Sequence, residues 1–421
     1  MLSLHSARQR SRPSRRQAAR IGLAIAGGGP IGGMYELGAL RALDEALDGF
    51  DPTAVDCYVG VSSGAFLAAG LANGLGTEAM CRIFITGDSD DVRFRPEIFL
   101  RPALFEYLRR AAALPRLTIQ WWQGLLLGPR DARWDMIPRI GGVLPTGLFD
   151  NRELERFLRG VLTRRGRSND FRELQRKLYV VAVDLDSGDP VLFGGDGWDD
   201  VPISVAVQAS AALPGLYPPV EIRGRHFVDG ALRRTMHASV LLERGIDLLL
   251  GVNPLVPFNN TLHNSDLATG TDPRRLAEGG LPAVLSQTFR TLLQSRMQVG
   301  MAKYAGQYPD IDQLVFEPDE ADGELFFTNA FSFSSRRRVC ELAYRNTLAD
   351  LRRRAGELRP VLAAHGIDLR DEILADEHRT LLDGLRPPPP RSTETTARLR
   401  RALDDTERLI TNRRRAGSRR S

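Results

Sequence analysis

Hydrophobic positions along this chain alternate between short apolar runs of strand length and stretches with helical spacing. The run 21–26 is uninterrupted and stops at Gly27-Gly28-Gly29-Pro30-Ile31-Gly32-Gly33, which reads as a buried strand entering a loop. Beyond it Leu37, Leu40, Leu43 and Leu47 recur every three to four residues and predict a helix over 34–47. A second strand, 55–59, meets Gly60-Val61-Ser62-Ser63-Gly64, and the small-residue run after it predicts another helix. Further strands are predicted at 177–183, 226–228, 246–252 and near 311–316, and helices at 201–212, 237–244, 283–305 and 336–364. Asp150 with Glu153 predicts a capping box for a helix running to about Arg159. Strands alternating with helices predict an α/β fold with a mostly parallel sheet covered on both faces. The rhythm fails over 78–145, where Trp121 and Trp122 adjoin Leu125, Leu126 and Leu127; this cluster reads as core packing or as a lipid-facing flap. The stretch 257–281 reads as a mobile loop.

Charge changes this picture at the ends. Residues 1–20 hold six Arg and no acid, and 385–421 hold eleven Arg against four acids. The ends therefore carry +6 and +7, which against the whole-chain +5 leaves −8 for the body between them. Both ends read as solvated tails, 1–20 as a disordered basic arm and 386–421 as a Pro-rich linker with a basic tail, the latter containing a lone amphipathic helix at 398–410. Such tails suit peripheral contact with an anionic membrane. They lack the interleaved aromatics of a nucleic-acid surface, so nucleic acid is not an expected partner. No apolar run is long enough to span a bilayer, and none forms a signal-peptide core. Cys57, Cys81 and Cys340 lack the spacing of a metal site or a disulfide framework, so the expectation is no metal, a reducing compartment and a cytoplasmic protein.

The candidate chemistry lies where strands meet glycines. Gly60-Val61-Ser62-Ser63-Gly64 between a strand and a helix makes a sharp turn, in which Gly60 and Gly64 permit close backbone approach and lift the Ser62 hydroxyl toward a substrate. Acyl transfer by a serine also needs a base and donors for the developing oxyanion. The loop amides around Gly27, Gly28, Gly29 and Gly32 are candidates for the donors. For the base there are two arrangements. One uses a histidine, His226 or His237 being the best placed of six; the other uses Asp229 directly, at a strand end and flanked by Gly230 and Ala231. Ser63 reads as turn filler, and Asp184 and Asp186 as turn or cap residues.

Gly27-Gly28-Gly29-Pro30-Ile31-Gly32, then Gly60-Val61-Ser62-Ser63-Gly64, then Ala209-Ser210-Ala211-Ala212-Leu213-Pro214-Gly215, then Asp229-Gly230-Ala231 resemble, in that order, the patatin-like phospholipases. The resemblance covers roughly 21–255. It implies a three-layer α/β/α fold and hydrolysis of lipid acyl esters without a cofactor. It also implies a Ser-Asp dyad lacking histidine, with Ser62 as nucleophile, Asp229 as base and the amides of about Gly28 and Gly29 as oxyanion hole. Family members commonly carry Arg or Lys where this chain has Ile31, so acyl-ester cleavage is implied more firmly than a phosphate-bearing headgroup. The domain reading is then a catalytic part over 21–255 and a mostly helical remainder of the same body over 256–385. Two rival readings remain. Gly27, Gly29 and Gly32 also satisfy Gly-x-Gly-x-x-Gly, but Ser62 stands where a dinucleotide site wants an acid. The same fold could also serve a non-catalytic lipid-binding or scaffold protein.

Overall fold

The computed structural model describes residues 2–7, 19–89, 94, 146–164, 166–256, 280–319 and 333–385. The tryptophan cluster, the expected 257–281 loop except for its last two residues, which begin a helix, most of the basic arm and the tail after 385 lie outside the described residues.

Five parallel strands form the spine of the sheet: β10 (Asp312–Phe316), β9 (Leu248–Val252), β2 (Ile21–Ile25), β4 (Cys57–Gly60) and β5 (Lys177–Asp184), in that spatial order. All five residues of β9 and of β10 are buried, as parallel strands covered on both faces require. Antiparallel strands finish both sides. β8 (Arg225–Asp229) pairs with β5 and carries β7 (Val220–Ile222), β6 (Pro190–Phe193) also pairs with β5, and β1 (Leu2–His5) pairs with β10. One face packs on Met236 and Ala238, on Leu241 from the helix Ser239–Leu242 that follows them, and on Met297 and Tyr304 from the helix Gly280–Gln307. The other is covered by the helices Gly29–Ala46, Ser63–Ala72 and Ile203–Ser210. The fold is thus three-layered α/β/α, with helix Phe333–Arg353 lying on helix Gly29–Ala46.

Three local features differ from the sequence reading. Leu2–His5, expected within a disordered arm, is an edge strand; Leu2 is buried and the Ala7 N–H donates to Asp312 Oδ1 at 2.8 Å. The alternation Leu2-Ser3-Leu4 is too short to signal this by itself. The helix expected from residue 34 begins at Gly29, with Pro30 in its first turn, where a missing N–H costs nothing. The capping box does not form: Asn151 is the N-cap, Asp150 Oδ1 accepts from the Arg152 N–H, and Glu153 pairs with Arg156.

Candidate functional site

Strand β4 ends at Gly60, and the chain turns through Ser62 into helix Ser63–Ala72. Ser62 holds φ 52° and ψ −119°, a left-handed conformation that costs a non-glycine residue about 1–3 kcal/mol. The neighbouring glycines explain how the turn closes. A Cβ at Gly60 would stand 2.4 Å from Ala65 Cα, and one at Gly64 only 2.3 Å from the Ala26 carbonyl oxygen. Across the turn the Ser62 N–H donates to Ser210 Oγ at 2.9 Å, and the Ser210 hydroxyl donates to the Val181 carbonyl at 2.6 Å. The strained residue is therefore pinned to β5.

Register brings Asp229 to the same level. Gly60 pairs with Val180 on β5, and Asp229 pairs with Ala182, two residues further along. Because β8 runs antiparallel, its last residue arrives where β4 has given way to the serine turn. Asp229 is 3% exposed, its Oδ1 accepts from the Ala231 N–H at 2.9 Å, and the Ser62 side chain lies near enough to its carboxyl to favour the ionised form. Burial raises its pKa from 3.8 to about 6 against the opposing effect of the Ala231 N–H and the Ser62 hydroxyl. A Cβ at Gly230 would lie 2.2 Å from the Val181 carbonyl, so the chain can leave β8 this way only with glycine there.

The glycine loop meets both segments. A Cβ at Gly27 would lie 3.1 Å from Ser62 Cβ and from Ala231 Cβ alike. The four loop glycines are not equivalent as donors. The Gly27 N–H donates to the Thr235 carbonyl and the Gly32 N–H to Gly28, each inside the fold. Gly28 and Gly29, at the start of the 18-residue helix Gly29–Ala46, have amides with no acceptor among the described residues, as first-turn amides do. Two helices, Gly29–Ala46 and Ser63–Ala72, thus begin at the site, and their N-termini favour negative charge there. Pro254, after β9, backs the loop: a Cβ at Gly28 would be 2.4 Å from its Cγ. Ile31 is buried in the first turn of its helix.

Neither candidate histidine hydrogen-bonds to Ser62. His226 is exposed on β8 opposite Glu221. His237 is buried and its Nε2–H donates to the Gly230 carbonyl at 3.2 Å; burial lowers its pKa to about 4, so it stays neutral and braces the Asp229 turn. Asp184 accepts from the Ser187 and Asp186 amides and pairs with Arg225, as a turn residue would. Asp186 is exposed in the same turn. Among the described residues no cluster of potential ligands for a metal ion occurs.

Two contributors escape the sequence reading. Ser210 is one, although it sits in the Ala209-Ser210-Ala211-Ala212 segment that carried part of the resemblance. Glu36 is the other: fully buried on helix Gly29–Ala46, it accepts from the Ser63 hydroxyl at 3.0 Å through Oε1. Oε2 has no partner among the described residues, and burial holds this carboxyl well above the usual range, hence neutral. An acid at a position of the helical pattern that faces the core was the available signal.

A family model for patatin-like phospholipases matches residues 23–242. An uncharacterised NTE family protein of Mycobacterium tuberculosis is 28% identical over 232 residues, covering 54% of this chain and 29% of that protein, and one of Mycobacterium bovis matches equally. The match therefore spans less than a third of the length of these curated relatives. Among solved structures, VipD from Legionella pneumophila is similar over 81% of this chain and 77% of its own at 14% identity and a TM-score of 0.31. Human GIVD cytosolic phospholipase A2 is similar over 83% of this chain and 60% of its own, at 14% identity and a TM-score of 0.31.

Proposed function

This chain belongs to the patatin-like phospholipase family, and from that premise we propose that it is a serine acyl hydrolase cleaving fatty acyl esters of lipids, with Ser62 as nucleophile and Asp229 as general base. The observation that carries the reading is the nearness of the Ser62 side chain to the buried Asp229 carboxyl, at the point where two helix N-termini converge.

The steps follow from that geometry. Ionised Asp229 takes the Ser62 hydroxyl proton as the oxygen attacks the ester carbonyl, and the oxyanion forms beside the Gly28 and Gly29 amides. One such donor contributes about 3 kcal/mol to the transition state. Collapse expels the alcohol, which leaves with the proton held by Asp229, and Ser62 carries the acyl group. Water then gives a proton to Asp229 and attacks the acyl-enzyme, and the returning Ser62 oxygen takes that proton as the fatty acid departs. His237 does not enter this cycle, since its Nε2–H is committed to Gly230.

Hydrolysis of a chromogenic acyl ester tests the assignment. Ser62→Ala and Asp229→Ala should each lower kcat by at least about a thousandfold in a folded protein. Turnover near the wild-type rate in either variant would remove the dyad.

A further inference from the structure

The 28-residue helix Gly280–Gln307 runs beside the site without taking part in it. Its inner side is fixed to the segments that carry the dyad and the oxyanion loop. The Thr235 hydroxyl donates to the Leu293 carbonyl, and the Thr235 carbonyl in turn accepts from Gly27. Arg296 donates to the carbonyl of Leu232, three residues after Asp229, and Gln294 Oε1 accepts from Asn253, the residue before Pro254.

Its outer side is unlike the rest of the surface. Val284, Phe289, Leu292 and Val299 are 44%, 46%, 56% and 69% exposed, and they are four of the seven large apolar side chains so exposed among the described residues. At about 100° per residue, Val284, Leu292 and Val299 fall within about 80° of one another around the axis, with Phe289 about 60° beyond Leu292. The helix contains no Asp or Glu, while Arg296 and Lys303 are exposed on it and Arg233 is exposed beside it. None of these three cations pairs with an acid among the described residues. No helix of the described residues is long and apolar enough to cross a membrane. Apolar side chains interspersed with exposed cations that pair with no acid among the described residues suit a helix lying in the plane of a lipid surface.

We infer that the exposed face of helix Gly280–Gln307 is the docking surface by which the protein sits on an anionic lipid bilayer, with Phe289, Leu292 and Val299 entering the acyl boundary and Arg233 and Lys303 meeting the headgroups. Docked so, the helix sets the serine turn next to the interface that supplies its substrate. The occupant assigned here rests on the lipid acyl hydrolase reading, whereas the surface itself rests on exposure and charge.

The test uses the full chain and phosphatidylcholine vesicles with and without one quarter phosphatidylglycerol. Cosedimentation of Phe289→Ser/Leu292→Ser/Val299→Ser should show at least tenfold weaker partitioning than wild type on the anionic vesicles, with hydrolysis of a short-chain soluble ester unchanged. Arg233→Gln/Lys303→Gln should weaken binding to the anionic vesicles several-fold and leave binding to pure phosphatidylcholine unchanged. Failure of the wild type to bind, or binding that the triple substitution leaves within twofold, overturns the inference. A wild-type dimer that the triple substitution splits, with vesicle binding intact, assigns the face to a second copy and also overturns it. Binding that depends on the helix in a protein that cleaves no ester would keep the docking surface and remove the hydrolase reading instead.

Discussion

Asp229 has to be ionised to take a proton, yet burial raises its pKa to about 6. The rate constant kcat/KM should therefore climb with pH through about 6 and level off above it, running about tenfold lower at pH 5 than on the plateau. A flat profile between pH 5 and 7.5 would contradict the assignment. The same shift has a cost in stability. The folded state holds this proton more tightly than the unfolded one, so the contribution present below pH 3.8 is lost as pH rises through about 6. Asp229→Asn should thus raise stability at pH 7.5 by up to about 3 kcal/mol while removing activity, read by urea denaturation at both ends of that window. Glu36 calls for the opposite comparison. Glu36→Gln preserves a neutral acceptor for Ser63 and should retain activity within about threefold, whereas Glu36→Ala should cost about 2–3 kcal/mol of stability.

The serine turn is an element built from clashes avoided. Gly64→Ala would drive a methyl group into the Ala26 carbonyl, so it should abolish activity and lower the thermal midpoint by at least about 5 °C in calorimetry. Ser210→Ala should leave the fold in place but strand the Ser62 N–H, and kcat should fall about tenfold. The glycines of this turn were legible because only small residues close it, and the parallel strands were legible because full burial writes them as continuous apolar runs. Other features left no such mark. Gly29 to Gly33 read as loop because glycine and proline disfavour helix interiors, yet Gly29–Ala46 includes them. The missing side chains at Gly32 and Gly33 are what let the helix approach its neighbours: a Cβ would stand 2.9 Å from Pro254 Cγ at Gly32 and 3.3 Å from Ser63 Cβ at Gly33. The antiparallel course of β8, on which the position of Asp229 depends, comes from pairing across the sheet, which local periodicity does not record. Ser210 was hidden for the same reason, since its two partners lie far from it in the chain.

Across the whole molecule, residues well after the resembling segment hold the catalytic layer in place. Helix Phe333–Arg353 packs so closely on Gly29–Ala46 that a Cβ at Gly38 would overlap the Cys340 carbonyl. Glu45 fastens the same contact: its Oε2 accepts from the Tyr344 hydroxyl at 2.6 Å and from Arg379 at 2.8 Å. Removing one partner of a buried ion pair leaves the others unsatisfied, so Glu45→Ala should cost about 3 kcal/mol in global unfolding though it lies far from Ser62 in the helix. The chemistry assigned to that framework depends on an aspartate acting without histidine. Intact-mass kinetics with an alkyl fluorophosphonate tests this most directly. The account predicts a single adduct, mapped to Ser62, whose formation slows at least about a thousandfold in Asp229→Asn. An adduct on another residue, or capture of Ser62 in Asp229→Asn at the wild-type rate, would contradict it.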